Sequence, residues 1–274
     1  MDRPGDRKHG SHNCWSCGFR GGPWELVAAV KGLSLEDAGE WIRDLEKGAP
    51  LRTDVWVPKV AVKLPRSEEP EAYRLPPGVI HPERLEDWFP PALAYLRRRA
   101  VSPWQIRKWR IGYAETGPLA LRIVIPVETA GRLVSHVARA FVGGMVPYDV
   151  PRPGRRGAEP SMGLFGEPGL DPDLDVIVPC EGVFKHLRLE LAGCPNPVAV
   201  LGASNVTAYK LSVMARFRRV IVAADPDAAG DALYQTIRRS LGRRCKVSRL
   251  VLEQSPDDTK VPALRAALRA AGAL

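Results

Sequence analysis

Apolar and polar positions change rhythm along this chain. From about residue 175 onward, short unbroken apolar runs alternate with segments in which apolar residues recur at helical spacing. The runs predict strands over 175–180, 198–201, 220–224 and 247–252, and the periodic segments predict helices over 184–191, 207–214, 228–241 and 261–271. Continuous rather than alternating apolar strands are those buried on both faces, so the reading is an α/β unit with a parallel sheet. Upstream the rhythm differs. Helices are expected over 91–99 and 103–109, then a strand pair over 121–127 and 133–142 around Thr129-Ala130-Gly131, then a loop-rich stretch over 143–173. Two further helices are expected near the start, over 24–31 and 34–47, the second opened by Ser34-x-x-Asp37 and closed at Gly48. Between these regions, residues 49–82 hold Pro50, Pro58, Pro65, Pro70, Pro76, Pro77 and Pro82 and read as a linker with one short strand near 55–62. The division is therefore 1–48, 49–82, 83–170 and 171–274.

The length of 274 residues suffices for two domains with a sizeable core. No apolar run is long enough to span a bilayer, and the opening Met1-Asp2-Arg3-Pro4-Gly5 is not a signal peptide. With five cysteines and no secretory signal, a reducing, cytoplasmic setting is expected, with Cys180, Cys194 and Cys245 as packing residues. The net charge of +9 favours polyanionic partners. It is concentrated at Arg97, Arg98, Arg99, Arg107, Lys108 and Arg110, at Arg152, Arg155 and Arg156, at Arg216, Arg218 and Arg219, and from Arg238 to Arg249. Any one cluster reads equally well as a solvated face; several together point towards nucleic acid.

The chemistry lies at two strand ends. Val176-Ile177-Val178-Pro179-Cys180 runs into Glu181-Gly182, and Val220-Ile221-Val222-Ala223-Ala224 runs into Asp225-Pro226-Asp227-Ala228-Ala229-Gly230. Ligands of open α/β sheets bind at the carboxyl ends of the strands. Three carboxylates converging there, Glu181, Asp225 and Asp227, would suit Mg²⁺ or Mn²⁺ and metal-assisted phosphoryl transfer. Asp227 reads equally as the N-cap of the following helix. No Gly-x4-Gly-Lys-Ser/Thr loop is present, which excludes a motor of that class.

The two acidic motifs, with Leu201-Gly202-Ala203 between them, resemble those of the TOPRIM fold. Tyr95 to Ser102, Ile111-Gly112-Tyr113-Ala114, Arg122 to Val127, Gly131 to Val134 with Arg139, Tyr148 to Pro151 and Gly163-Leu164-Phe165-Gly166 resemble the rest of the DnaG-type primase core. This resemblance implies a TOPRIM parallel sheet behind a basic α+β subdomain, and a DNA primase that makes short RNA primers on single-stranded DNA from nucleoside triphosphates. It further implies Glu181, Asp225 and Asp227 as catalytic and Mg²⁺- or Mn²⁺-binding residues, nucleic-acid or nucleotide contacts from Arg139, Tyr148, Arg152, Arg155 and Arg156, and a replicative helicase acting in trans. Asn13-Cys14-Trp15-Ser16-Cys17-Gly18 resembles the second arm of a primase zinc ribbon. The first arm has no counterpart before Cys14. Three readings stay open: the chain starts inside the ribbon, His9 joins Cys14 and Cys17 on Zn²⁺, or no zinc binds. Lys185 stands where many members carry an aspartate, and is a candidate phosphate contact; Pro147 replaces a lysine; Asp257-Asp258 resembles a late acidic motif in loose register. A TOPRIM nuclease and a non-catalytic, nucleic-acid-binding relative are the rival readings.

Overall fold

The computed structural model describes residues 12–13, 20–31, 33–46 and 72–274. The chain divides into two compact units, Met1–Arg66 and Ser67–Leu274.

In the first unit, strands β1 (His12–Asn13) and β2 (Arg20–Gly21) pair antiparallel, with His12 opposite Gly21. Helices α1 (Pro23–Lys31) and α2 (Leu35–Glu46) follow. Ser34 caps α2, its Oγ accepting from the Asp37 amide at 3.1 Å and donating to Asp37 Oδ2 at 2.7 Å. The helices approach closely because Gly39 has no side chain, and a Cβ there would stand 3.2 Å from the Trp24 ring. His9, Cys14 and Cys17 lie outside the described residues, and so does the short strand expected near 55–62.

The second unit begins with β3 (Val79–Ile80), α3 (Pro90–Arg98), α4 (Pro103–Lys108) and β4 (Gly112–Ala114). Then come β5 (Arg122–Thr129), β6 (Arg132–Ala140) and β7 (Tyr148–Asp149). They form an antiparallel sheet in the order β3-β4-β5-β6-β7. β5 and β6 meet at a two-residue turn, where Ala130 (φ 50°) and Gly131 (φ 75°) both take the left-handed conformation that matches strand twist. The linker expected to reach residue 82 ends earlier, because Val79 and Ile80 pair with Ala114 and Tyr113 and so belong to this sheet.

The remainder is β8 (Val176–Cys180), α5 (Val183–Leu191), β9 (Pro197–Ala199), α6 (Ala208–Met214), β10 (Arg219–Val222), α7 (Ala228–Leu241), β11 (Lys246–Arg249) and α8 (Val261–Ala270). Its four strands form a parallel sheet in the order β11-β10-β8-β9. β9 stops at Ala199, short of the expected 201, because Leu201 (φ 62°) and Gly202 (φ 116°) leave extended geometry. β10 stops at Val222; beyond it Ala223 keeps only an isolated bridge to Cys180.

Alternation along β8 explains why every residue of it is buried. Val176, Val178 and Cys180 join a core with Phe184 and Leu187 of α5 and Leu264 and Leu268 of α8. Ile177 faces the other way, into a core with Met214 of α6 and Leu233 and Ile237 of α7. Each such buried Val, Ile or Leu contributes about 2 kcal/mol relative to exposure. The first core also takes in Trp88, Leu96, Ile123 and Ile125 from the antiparallel half, so the two sheets of this unit share one interior. Phe165 reinforces the join, exchanging backbone hydrogen bonds with Ala199 at the open edge of β9. Cys180, Cys194 and Cys245 are buried free thiols. Among the described residues no helix is long and apolar enough to cross a membrane.

Candidate functional site

In the parallel sheet, β8 connects outward to β9, and the chain then crosses back to β10 on the other side of β8. The connections leaving β8 and β10 therefore part in opposite directions, which opens a crevice at their carboxyl ends. Glu181 follows β8 and Asp225 lies three residues beyond β10, and the Cys180–Ala223 bridge brings the two strand ends level. The Glu181 carbonyl accepts from the Gly202 amide at 3.1 Å, so the turn after β9 holds its backbone. That turn is itself pinned. Lys210, fully buried, donates to the carbonyls of Val200 at 2.8 Å and Asn205 at 2.9 Å, and burial lowers its pKa to about 7.

Of Glu181, Asp225 and Asp227, the first two converge, on the Nζ of Lys185, and the third stands apart. Among the described residues no group of three His, Cys, Asp or Glu side chains is gathered to hold a metal ion. Two local causes account for this. Asp227 turns to cap α7, its Oδ1 accepting from the Gly230 amide at 2.7 Å, and stays exposed. Lys185, in the first turn of α5, places its Nζ 2.7 Å from Asp225 Oδ2 and 3.3 Å from Glu181 Oε2. Burial works against the Lys185 charge, but the hydrogen bond to Asp225 and the charges of Glu181, Asp225 and Asp257 outweigh it, and its pKa is raised.

Further groups close the cluster. Ser255 Oγ lies 2.9 Å from Asp225 Oδ1 and 2.6 Å from Asp257 Oδ1, and its single proton can serve only one of them at a time. Asp257 Oδ2 accepts from Arg99 at 3.0 Å, and its backbone carbonyl accepts from Arg188 at 3.0 Å. Arg249 donates to the Asp225 carbonyl at 2.7 Å. Arg99 also lies over the rings of Tyr95 and Phe184. Tyr95 Oη accepts from Arg139 Nε at 3.0 Å, and the Arg139 guanidinium sits 4.5 Å from the centre of the exposed Tyr148 ring. A contiguous path thus runs from the β6–β7 edge of the antiparallel sheet to the acidic crevice. Arg152 and Arg155 lie exposed beyond β7, where Arg155 lines a cavity with Tyr73, His136 and Asp149; the side chain of Arg156 lies outside the described residues.

Sequence reasoning passed over Arg99, Ser255 and Lys210 as site residues and left Asp257 in loose register. Part of the basic surface it counted is consumed internally: Lys108 pairs with Glu190 at 2.7 Å, Arg219 pairs with Asp175 at 2.7 Å, Arg110 pairs with Glu128 and Arg249 with Asp231. The donor chemistry fits one hard cation better than several. Asp225 and the exposed Asp227 are two carboxylates that could hold an ion keeping most of its waters, whereas the space between Glu181 and Asp225 already holds an ammonium group.

Residues 175–251 match the Toprim domain family. The fold matches the zinc-binding and RNA polymerase domains of Aquifex aeolicus primase with a TM-score of 0.56 at 18% identity, covering 94% of this chain and 72% of that one. It matches a DnaG primase catalytic domain bound to single-stranded DNA with a TM-score of 0.54 at 19% identity, over 65% of this chain and 70% of the other. It also matches the RNA polymerase domain of Mycobacterium tuberculosis primase DnaG in complex with double-stranded DNA, with a TM-score of 0.55 at 21% identity, over 65% and 73% of the two chains. No curated protein matches the sequence. The chain thus has the α/β fold of DnaG-type primase cores, with a Toprim domain as its parallel-sheet half.

Proposed function

We propose that this chain is a DNA primase that joins nucleoside triphosphates into short RNA primers on single-stranded DNA. The observation that carries the reading is the path of contacts from Tyr148 and Arg139 through Tyr95, Arg99 and Asp257 to Asp225. It sets a cationic, aromatic surface suited to a single strand beside a carboxylate crevice suited to nucleotidyl transfer. Tyr148 offers a face on which a base can stack, and Arg139 beneath it meets a template phosphate; Arg152, Arg155 and Arg156 extend that surface. Arg99, beside the crevice, would offer positive charge to the triphosphate. Asp225 and Asp227 would hold Mg²⁺ or Mn²⁺, which when bound supplies charge stabilisation to the triphosphate and acidifies the attacking 3′-hydroxyl. Glu181 would accept a proton from that hydroxyl or support the metal-binding pair. Cys14 and Cys17, with His9, are the proposed zinc ligands, and a helicase acting in trans is the proposed partner in a cytoplasmic setting.

A second reading, nucleic-acid binding without synthesis, is favoured by one observation, the ammonium group of Lys185 lying between Glu181 and Asp225. Labelled-nucleotide incorporation on single-stranded DNA with Mg²⁺ or Mn²⁺, beside an Asp225→Asn control, separates the two. Template-dependent oligonucleotides lost in the variant, with DNA binding retained, are expected for a primase. Binding indifferent to metal, with no product, would establish the second reading.

A further inference from the structure

Cations of the chain itself reach the acidic edge of the parallel sheet. Four carboxylates lie at or beside it, Glu181, Asp225, Asp227 and Asp257, and Lys185, Arg99, Arg188 and Arg249 reach into the same network. Lys185 holds the central place. Its ammonium touches carboxylates from two neighbouring strand ends, and the side chains of Lys185 and Asp225 are each only 16% exposed. An ammonium group is a compact point charge that gives three hydrogen bonds in adjustable directions. A divalent ion bridging two carboxylates needs the same location and the same two ligands, at shorter range and with twice the charge. Both cannot be there together.

We propose that Lys185 is a built-in counter-cation that takes the position a second divalent ion would occupy between Glu181 and Asp225, so that this site works with a single exchangeable metal. The tether is local: Lys185, in the first turn of α5, lies four positions after Glu181, which stands just ahead of the Gly182 cap of that helix. The partner strand supplies the rest, because β10 lies directly beside β8 and carries Asp225 to the opposite wall. Glu181 is then an ion-pair partner rather than a metal ligand. Its interaction energy is committed to holding Lys185 across the crevice, and the exchangeable ion falls to Asp225 and Asp227. The inference rests on the reading of this edge as a divalent-cation site, and its test separates the two.

The test is Mn²⁺ titration of the full chain, followed by the electron paramagnetic resonance of the free ion. Mn²⁺ is suited to carboxylates rather than to the thiolates of Cys14 and Cys17. Asp225→Asn is expected to weaken uptake at this edge about tenfold or more, Glu181→Gln to change it by less than about threefold, and Lys185→Asp to bind one ion more than the unsubstituted chain. A loss of about tenfold in Glu181→Gln would overturn the proposal. So would a Lys185→Asp chain, folded by circular dichroism, with unchanged stoichiometry. Uptake untouched by Asp225→Asn would remove the cation reading of the edge and the proposal with it, whereas uptake lost in Asp225→Asn with an unchanged stoichiometry in Lys185→Asp would overturn the proposal alone.

Discussion

Arg99 and Asp257 are 158 positions apart in the chain, yet their charged atoms meet at 3.0 Å, with Ser255 carrying the contact on to Asp225. The residue that closes α3 thereby braces the loop ahead of α8 and, through it, the acidic crevice.

Asp257→Ala leaves the Arg99 guanidinium, itself about two-thirds enclosed, without its carboxylate. A loss of about 2 kcal/mol in unfolding free energy is expected, the usual cost of removing a hydrogen bond to a charged group. Urea denaturation of the variant beside Asp258→Ala, its sequence neighbour, checks this. Equal midpoints would remove Asp257 from the network.

Gly230 has no room for a side chain. A Cβ there would stand 2.1 Å from the Asp225 carbonyl oxygen and 2.7 Å from its amide nitrogen, both backbone atoms that cannot step aside. Gly230→Ala is therefore expected to cost about 3 kcal/mol and to displace the loop that presents Asp225. The lowered thermal midpoint should be accompanied by loss of nucleotide incorporation.

Lys210 makes stability depend on pH. The unfolded chain keeps this proton up to the ordinary lysine value of 10.5, whereas the folded protein, with the side chain buried, releases it near about 7. Between those values the unfolded state binds more protons, so stability rises with pH through the window. The full effect is on the order of 5 kcal/mol. Comparing urea midpoints at neutral pH and in the upper part of the window, for the protein and for Lys210→Met, isolates it. The upward slope should flatten in the variant.

Arg139→Ala removes one cation from the surface beneath Tyr148. Single-stranded DNA should bind more weakly, and the slope of log K against log salt should shrink by about 0.7. Tyr148→Ala should cost about 1–3 kcal/mol of binding with the salt slope unchanged. Fluorescence anisotropy over a range of salt reads both.

What was legible in the sequence follows the range over which each feature is determined. The strand β8 could be read from its unbroken apolar run, and α7 was predicted to its observed ends because both a capping carboxylate and the helical period are local. The strands β3, β4 and β7 were not legible. Two or three residues cannot display a period, and Val79 is a strand residue only because Ala114 lies opposite. Glu181 and Asp225 were visible as strand-end acids. The four-residue spacing from Glu181 to Lys185 was also present in the sequence, but the contact from Lys185 to Asp225 depends on β8 and β10 being neighbours. Both roles considered for Asp227 were open in the sequence; the structure shows the cap. Several arginines read as a nucleic-acid surface proved to be bound within the protein, because counting charges along a chain does not reveal which of them fold against an acid.

The shared interior of the second unit separates the boundary of family likeness from the boundary of folding. The segment that matches the Toprim family stops at residue 251, yet Leu264 and Leu268 cover one face of its sheet and Phe165 closes its β9 edge from upstream. Excised at those limits, the segment would expose an apolar face and an open strand edge, the conditions for self-association. The carboxylates and the arginines that serve them are accordingly parts of one cooperative structure: heat or denaturant should remove both in a single transition, and transplanting the acidic motifs alone would carry neither stability nor site.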